Sequence, residues 1–160
     1  MSESAIHKSK LSKAAKPIPK VVASIEARMG SSRLPGKVLK DIGGQPALTR
    51  LLRRLRHCKR LDSIILATTT SPKDDVLVAW AQKEDVSYYR GSEDDVLNRV
   101  VTAQQAADSD IVVEICGDCV LIDPSLVDMA IWTFLENRRQ FVCQSFLKIM
   151  TTMSVIATEI

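Results

Sequence analysis

Glu26-Ala-Arg-Met-Gly-Ser-Ser-Arg-Leu-Pro-Gly-Lys-Val-Leu39 sets three cations, two glycines and two serines directly behind an apolar run. The β-branched residues of Val21–Ala27 read as a strand, and Pro46–Arg56 has the period of a helix, so the stretch joins strand to helix. Gly30 and Gly36 are expected to take backbone conformations closed to other residues, and Ser31 and Ser32 offer hydroxyl and amide donors to phosphate oxygens. Arg28, Arg33 and Lys37 supply positive charge, the arginines as planar forks and the lysine as a compact mobile cation. Pro35 stiffens the turn. A Walker A loop also ends in Gly-Lys behind a strand. Here five residues instead of four separate Gly30 from Gly36, and Val38 stands where that motif needs a metal-binding Ser or Thr. A merely solvated basic turn is outweighed by the coincidence of so many phosphate-binding residue types.

Around this loop the chain alternates strand and helix with short connections, the pattern of a mostly parallel sheet covered by helices on both faces. Further strands are expected at Ser63–Thr68, Val86–Tyr89 and Ile111–Ile115. Further helices are expected at Lys73–Glu84, Asp94–Ala107 and Pro124–Asn137, with Val96, Leu97, Val100 and Val101 of the third facing the core. Pro46, Pro72 and Pro124 each stand where proline starts a helix well. In such a sheet ligands bind beyond the carboxyl ends of the strands where the order reverses. With strand order 3-2-1-4, the loops 28–37 and 116–120 face each other, and Arg33, Lys37 and Asp118 converge. Gly117 is expected to let the backbone turn sharply beside Asp118. A lone Asp after a strand is commonly a cap or turn residue. Opposite a phosphate loop it is placed to take a magnesium ion bridging substrate phosphates.

Length and composition set the frame. The chain has 160 residues and 46% hydrophobic content, one domain's worth with an ordinary core. Residues 1–20 carry five lysines against Glu3, a local charge of +4; the whole-chain +3 leaves −1 for residues 21–160. The first segment reads as a flexible basic tail and the second as the folded unit. A nearly neutral folded unit argues against nucleic-acid binding. The tail lacks the apolar stretch of a secretion signal and is lysine-rich where a mitochondrial presequence is arginine-rich. No run reaches the ~20 apolar residues of a membrane span, and a cytoplasmic protein is expected. Cys58, Cys116, Cys119 and Cys143 are too few and uneven for a disulfide scaffold and are expected as thiols. Cys116-Gly-Asp-Cys119 lacks the second ligand pair of a zinc site. His7 and His57 lie in the tail and on a cationic helix, and no Ser-His or Cys-His nucleophile pair is evident.

Ala27-Arg-Met-Gly-Ser-Ser-Arg-Leu-Pro-Gly-Lys-Val-Leu39 resembles the N-terminal signature of the cytidylyltransferases that make CMP-activated acidic sugars. The likeness is to the spore-coat polysaccharide biosynthesis type, a relative of the CMP-sialate and CMP-octulosonate synthetases. Ile65–Thr70, Tyr89–Leu97 and Gly117–Pro124 resemble the same branch in the same order, so the likeness runs from Val21 to about Glu136. It implies a Rossmann-like three-layer α/β fold of the nucleotide-diphospho-sugar transferase kind, and transfer of CMP from CTP to an acidic sugar with release of pyrophosphate. The implied nucleotide contacts are Ala27, Arg28, Met29, Gly30, Ser31, Ser32 and Gly36 from the loop, with Arg90, Gly91, Ser92 and Arg99 on the base and ribose side. Arg33 and Lys37 become the catalytic cations on the β- and γ-phosphates, Asp118 the ligand of Mg²⁺, and a homodimer one expected assembly.

Three positions depart from the family pattern: Glu26 for Gln, Asn98 for Asp and Val120 for Pro. After Phe141 the sequence is expected to leave the pattern altogether. The family's dimerisation segment and second metal-binding aspartate would then be absent, the sheet edge would lack its usual neighbour, and the fold would be incomplete at the C-terminus. A non-catalytic module that keeps the fold, and binds a nucleotide weakly or serves as an interaction surface, is the competing reading.

Overall fold

A computed structural model describes residues 18–141, 149–151 and 153–159. All but the end of the expected basic tail, and Cys143, lie outside the described residues. Four parallel strands form the centre: β1 (Val21–Glu26), β2 (Ser63–Thr69), β3 (Ser87–Gly91) and β4 (Ile111–Cys116). Two further strands, β5 (Ile149–Thr151) and β6 (Met153–Glu159), complete a six-stranded sheet in the order β3-β2-β1-β4-β6-β5. The expected 3-2-1-4 order is therefore present.

The outer edge of β4 corrects one expectation. It is paired along Ile111–Ile115 with Glu159–Val155 of antiparallel β6. The apolar, β-branched character of residues 153–159 lets that segment take the edge although no motif residue marks it.

Helices α1 (Ala47–Leu55), α2 (Asp75–Lys83) and α4 (Pro124–Phe141) cover one face of the sheet, and α3 (Val96–Ala106) covers the other. Strand alternation divides β1 between them: Ala23 and Ile25 join the α1/α2/α4 core, while Val22 packs under α3 with Val100 and Ala103. On α1, Leu48, Leu51, Leu52 and Leu55 recur at helical spacing and are buried.

Pro72 opens a single 3-10 turn, Pro72–Asp74, ahead of α2 instead of starting the helix itself. Helix α3 begins at Val96, not Asp94, because the Asp95 carboxylate accepts the Asn98 N–H at 2.9 Å and caps it. Leu97 then points outward, 64% exposed, which corrects its expected place in the core. No helix among the described residues is long and apolar enough to cross a membrane.

Candidate functional site

The crevice lies beyond the carboxyl ends of β1 and β4, the two strands where the sheet order reverses. After β1 the chain turns around Met29, whose carbonyl accepts the N–H of Ser31 at 2.9 Å and of Gly36 at 3.0 Å. Gly36 closes the loop with φ of 67°, a left-handed conformation. Gly30 does not share it; a Cβ there would meet the Glu93 carboxylate at 3.3 Å, so closeness to that side chain, not backbone conformation, is its constraint. Residues Lys37–Leu39 form a 3-10 turn with Val38 buried, which fixes Lys37 at the crevice edge.

The Lys37 ammonium donates to the Asp118 carboxylate from the loop after β4, and the two are paired ions. That loop sits close because Gly117 has no side chain. Its N–H donates to the Glu26 carbonyl at 2.8 Å, and a Cβ would lie 2.7 Å from that same oxygen. Gly117 has no positive φ, so close approach of two backbones replaces the sharp turn expected there.

A cavity of about 390 Å³ opens between the two loops. It brings together Ala27, Arg28, Ser31 and Ser32 of the first loop, Arg33 and Lys37 behind them, and Asp118 opposite. Arg33 is exposed and makes no hydrogen bond or ion pair with a described residue, so its guanidinium is available to a ligand. Met29, Gly30 and Gly36 line the other side of the loop, with Lys73. Glu26 also lines the cavity, a second carboxylate besides Asp118 that the motif reading noted only as a departure.

Arg90, Gly91, Ser92 and Arg99 do not line this cavity. Arg90 is spent on the segment after β2, where it donates to the carbonyls of Thr69 and Ser71, both at 2.9 Å, and pairs with Asp75 at 2.8 Å. Arg99 is wholly buried. It reaches Glu26 at 3.2 Å and the Ser92 carbonyl, bracing the wall of the cavity from behind. Arg28 leans toward Glu93, with 3.9 Å between the charged groups.

Acidic groups crowd the same end of the sheet. Burial raises the Glu114 carboxyl above its usual range, and neighbouring Glu26 adds to the effect. Cys116 is pushed up to about 11, first by burial and then by Cys119, Glu26, Asp118 and Glu114. Cys116 and Cys119 are not joined by a disulfide. Cys116 ends β4, as the reading of these residues as small strand-end positions has it, and its environment keeps it a protonated thiol at neutral pH.

The residue that motif reading missed is Asp74. It is 2% exposed and its carboxylate accepts the Met29 N–H at 2.7 Å. The one sequence signal is the Ser71-Pro-Lys-Asp-Asp75 run, which reads as an ordinary helix start.

The family profile described as cytidylyltransferase matches residues 22–159. The spore coat polysaccharide biosynthesis protein SpsF of Bacillus subtilis is 39% identical over 117 residues, 71% of this chain and 49% of that protein. Among solved structures, a cytidylyltransferase from Leptospira borgpetersenii serovar Hardjo-bovis superposes with a TM-score of 0.79 at 32% identity, covering 89% of this chain and 61% of that one. A CMP:2-keto-3-deoxy-manno-octonic acid synthetase complexed with CTP gives 0.62 at 26% identity, covering 74% and 48%. The chain spans about half the length of the curated relatives it matches. The profile reaches well past Glu136, where the likeness was expected to end, and takes in the segment of β5 and β6. With the sheet from β1 to β6 inside a single match, the chain belongs to the cytidylyltransferase family.

Proposed function

We propose that this chain binds CTP in the crevice between the loops after β1 and β4 and takes part in transferring CMP to an acidic sugar, in the cytoplasm. The observation that carries the reading is the Lys37–Asp118 contact across a cavity lined by the serines and arginines of the first loop. It is supported by the likeness to a synthetase of a CMP-activated octonic acid that is complexed with CTP. Residues 21–160 form the nucleotide-binding unit in this reading, and residues 1–20 a basic extension.

In the reaction a sugar oxygen attacks the α-phosphorus in line. The new P–O bond forms as the bond to the β-phosphate oxygen breaks, and pyrophosphate leaves with the electron pair. Charge neutralisation carries most of the barrier lowering. Arg33 offers a fork to the β- and γ-phosphates, Ser31 and Ser32 donate to phosphate oxygens, and Lys37 stabilises the charge that builds on the leaving group. Arg99 and Glu26 form the wall behind the nucleotide.

The oxygen donors at the cavity, Asp118 and Glu26, suit Mg²⁺, which takes one or two carboxylates and completes its shell with phosphate oxygens and water. Among the described residues no group of three or more His, Cys, Asp or Glu is built as a protein-only cage. Asp118 is the residue that would hold the ion, which when bound neutralises phosphate charge. Lys37 now pairs with that carboxylate. Arrival of a triphosphate draws the ammonium to the phosphates and frees Asp118.

Calorimetric titration with CTP, with and without Mg²⁺ and with ATP as control, tests the reading. Magnesium-dependent binding that prefers CTP is expected. Lys37→Ala should weaken it at least tenfold, and Asp118→Ala should abolish its magnesium dependence. Binding unchanged in both variants, or none to the folded chain, overturns the assignment; the second outcome favours a non-catalytic module.

A further inference from the structure

Asp74 is a buried carboxylate with no cation paired to it among the described residues. Its carboxylate accepts three hydrogen bonds, one from the loop after β1 and two from Thr69 at the end of β2. One oxygen takes the Met29 N–H at 2.7 Å; the other takes the Thr69 N–H at 3.3 Å and the Thr69 hydroxyl. Met29 is in turn the hub of the phosphate loop, because its carbonyl gathers the N–H groups of Ser31 and Gly36. The path from Asp74 to the loop therefore runs through a single residue, entering at the Met29 N–H and leaving at its carbonyl.

Arg90 fixes the other side of the same segment. Its three guanidinium nitrogens go to the Thr69 carbonyl, the Ser71 carbonyl and the Asp75 carboxylate, so the chain from Thr69 to Asp75 is clamped from β3. A planar fork that reaches three acceptors in one short segment holds its shape in a way that a lysine does not. The Thr69 hydroxyl also accepts the Ser71 N–H at 3.1 Å, which closes the turn that presents Asp74.

We propose that Asp74 is the positioning residue of the phosphate loop, and that Arg90 acts through it rather than on the nucleotide. Asp74 touches no ligand; it sets where Met29 sits, and with it the turn from Gly30 to Gly36. The carboxylate suits the task because both oxygens can accept at once, one from the loop after β1 and the other from Thr69. The proposal rests on the nucleotide reading for its consequence, but its core concerns the unliganded loop.

Amide hydrogen exchange on the full chain without nucleotide tests it directly. In Asp74→Ala, exchange at Met29, Ser31 and Gly36 should quicken at least tenfold while Val22–Ile25 of β1 keeps its protection. Asp74→Asn should restore most of the loop protection, since its one oxygen still accepts the Met29 N–H, while its amide can donate to the Thr69 hydroxyl oxygen and only the long bond from the Thr69 N–H is lost. If Asp74→Ala fails to fold, Arg90→Lys decides: loop-selective quickening supports the clamp, and wild-type exchange overturns it. Equal loop exchange in wild type and Asp74→Ala likewise overturns the proposal.

CTP titration forms the second arm. Asp74→Ala should raise the Kd at least tenfold, with Asp74→Asn within about threefold of wild type, and an unchanged Kd in Asp74→Ala overturns the consequence for binding. A wild-type chain that binds no CTP, yet whose loop responds to Asp74→Ala, refutes the nucleotide reading and leaves the positioning role standing.

Discussion

Glu114 lies on β4 opposite Ser24, on the face shared with Glu26, and burial together with Glu26 raises its carboxyl above the ordinary 4.5. A pKa raised in the folded state gives a contribution that is fully present below the unfolded value and is lost as pH rises through the folded one. At pH 7 the ionised group is therefore a cost. Glu114→Gln should raise the urea midpoint at pH 7, with the gap from wild type closing as pH falls toward 4.5, measured by fluorescence-monitored unfolding at several pH values. Single residues also show what the motif could and could not reveal. The meeting of Lys37 and Asp118 was legible because the 3-2-1-4 order puts the loops after β1 and β4 face to face. Asp74 was not, since an acid after Pro-Lys at a helix start has a local explanation that hides its long-range one. The resemblance assigned Arg90 and Arg99 to the base and ribose side; sequence gives the charge of a guanidinium and not the backbone carbonyls that both face here.

Among the elements, α3 is set by its cap. The Asp95 carboxylate satisfies the Asn98 N–H, and Ser92 Oγ accepts the N–H groups of Asp94 and Asp95 at 3.2 and 3.0 Å just ahead. Asp95→Ala should cost about 1 kcal/mol of stability. Chemical denaturation with an unchanged m-value would check that the loss is a local cap and not a change in the unfolded chain. Strands β1, β2 and β4 were legible almost to the residue, because a β-branched run closed by polar residues has no helical alternative. Strand β3 was displaced, and α3 began two residues late, because Ser92 and Asp95 compete as turn and cap and only packing decides between them. The pair β5 and β6 was missed altogether. An antiparallel strand with Thr and Ser among its apolar residues carries a weaker pattern than a buried parallel one.

For the whole molecule, the sheet places the loop of Lys37 and the loop of Asp118 behind adjacent strands, β1 and β4, that are distant in sequence, and β6 seals the far side of β4. A chain ending at Phe141 would bare that edge, and unpaired strand edges template association. Sedimentation velocity over a concentration series should show self-association of that shortened chain where the full chain does not change its behaviour. The 3-2-1-4 order was legible because alternating strands and helices leave few arrangements; the antiparallel extension was not, since nothing in a motif tells which edge a later strand will choose. The distance along the chain between the two walls of the crevice has a consequence in time. Lys37 and Asp118 are 81 residues apart. At synthesis rates of roughly 5–20 residues per second, on the order of 4–16 s pass between the appearance of one and of the other. For that interval a nascent chain carries the Lys37 loop without the wall that holds Asp118, so the crevice takes shape only once the sheet has assembled through β4.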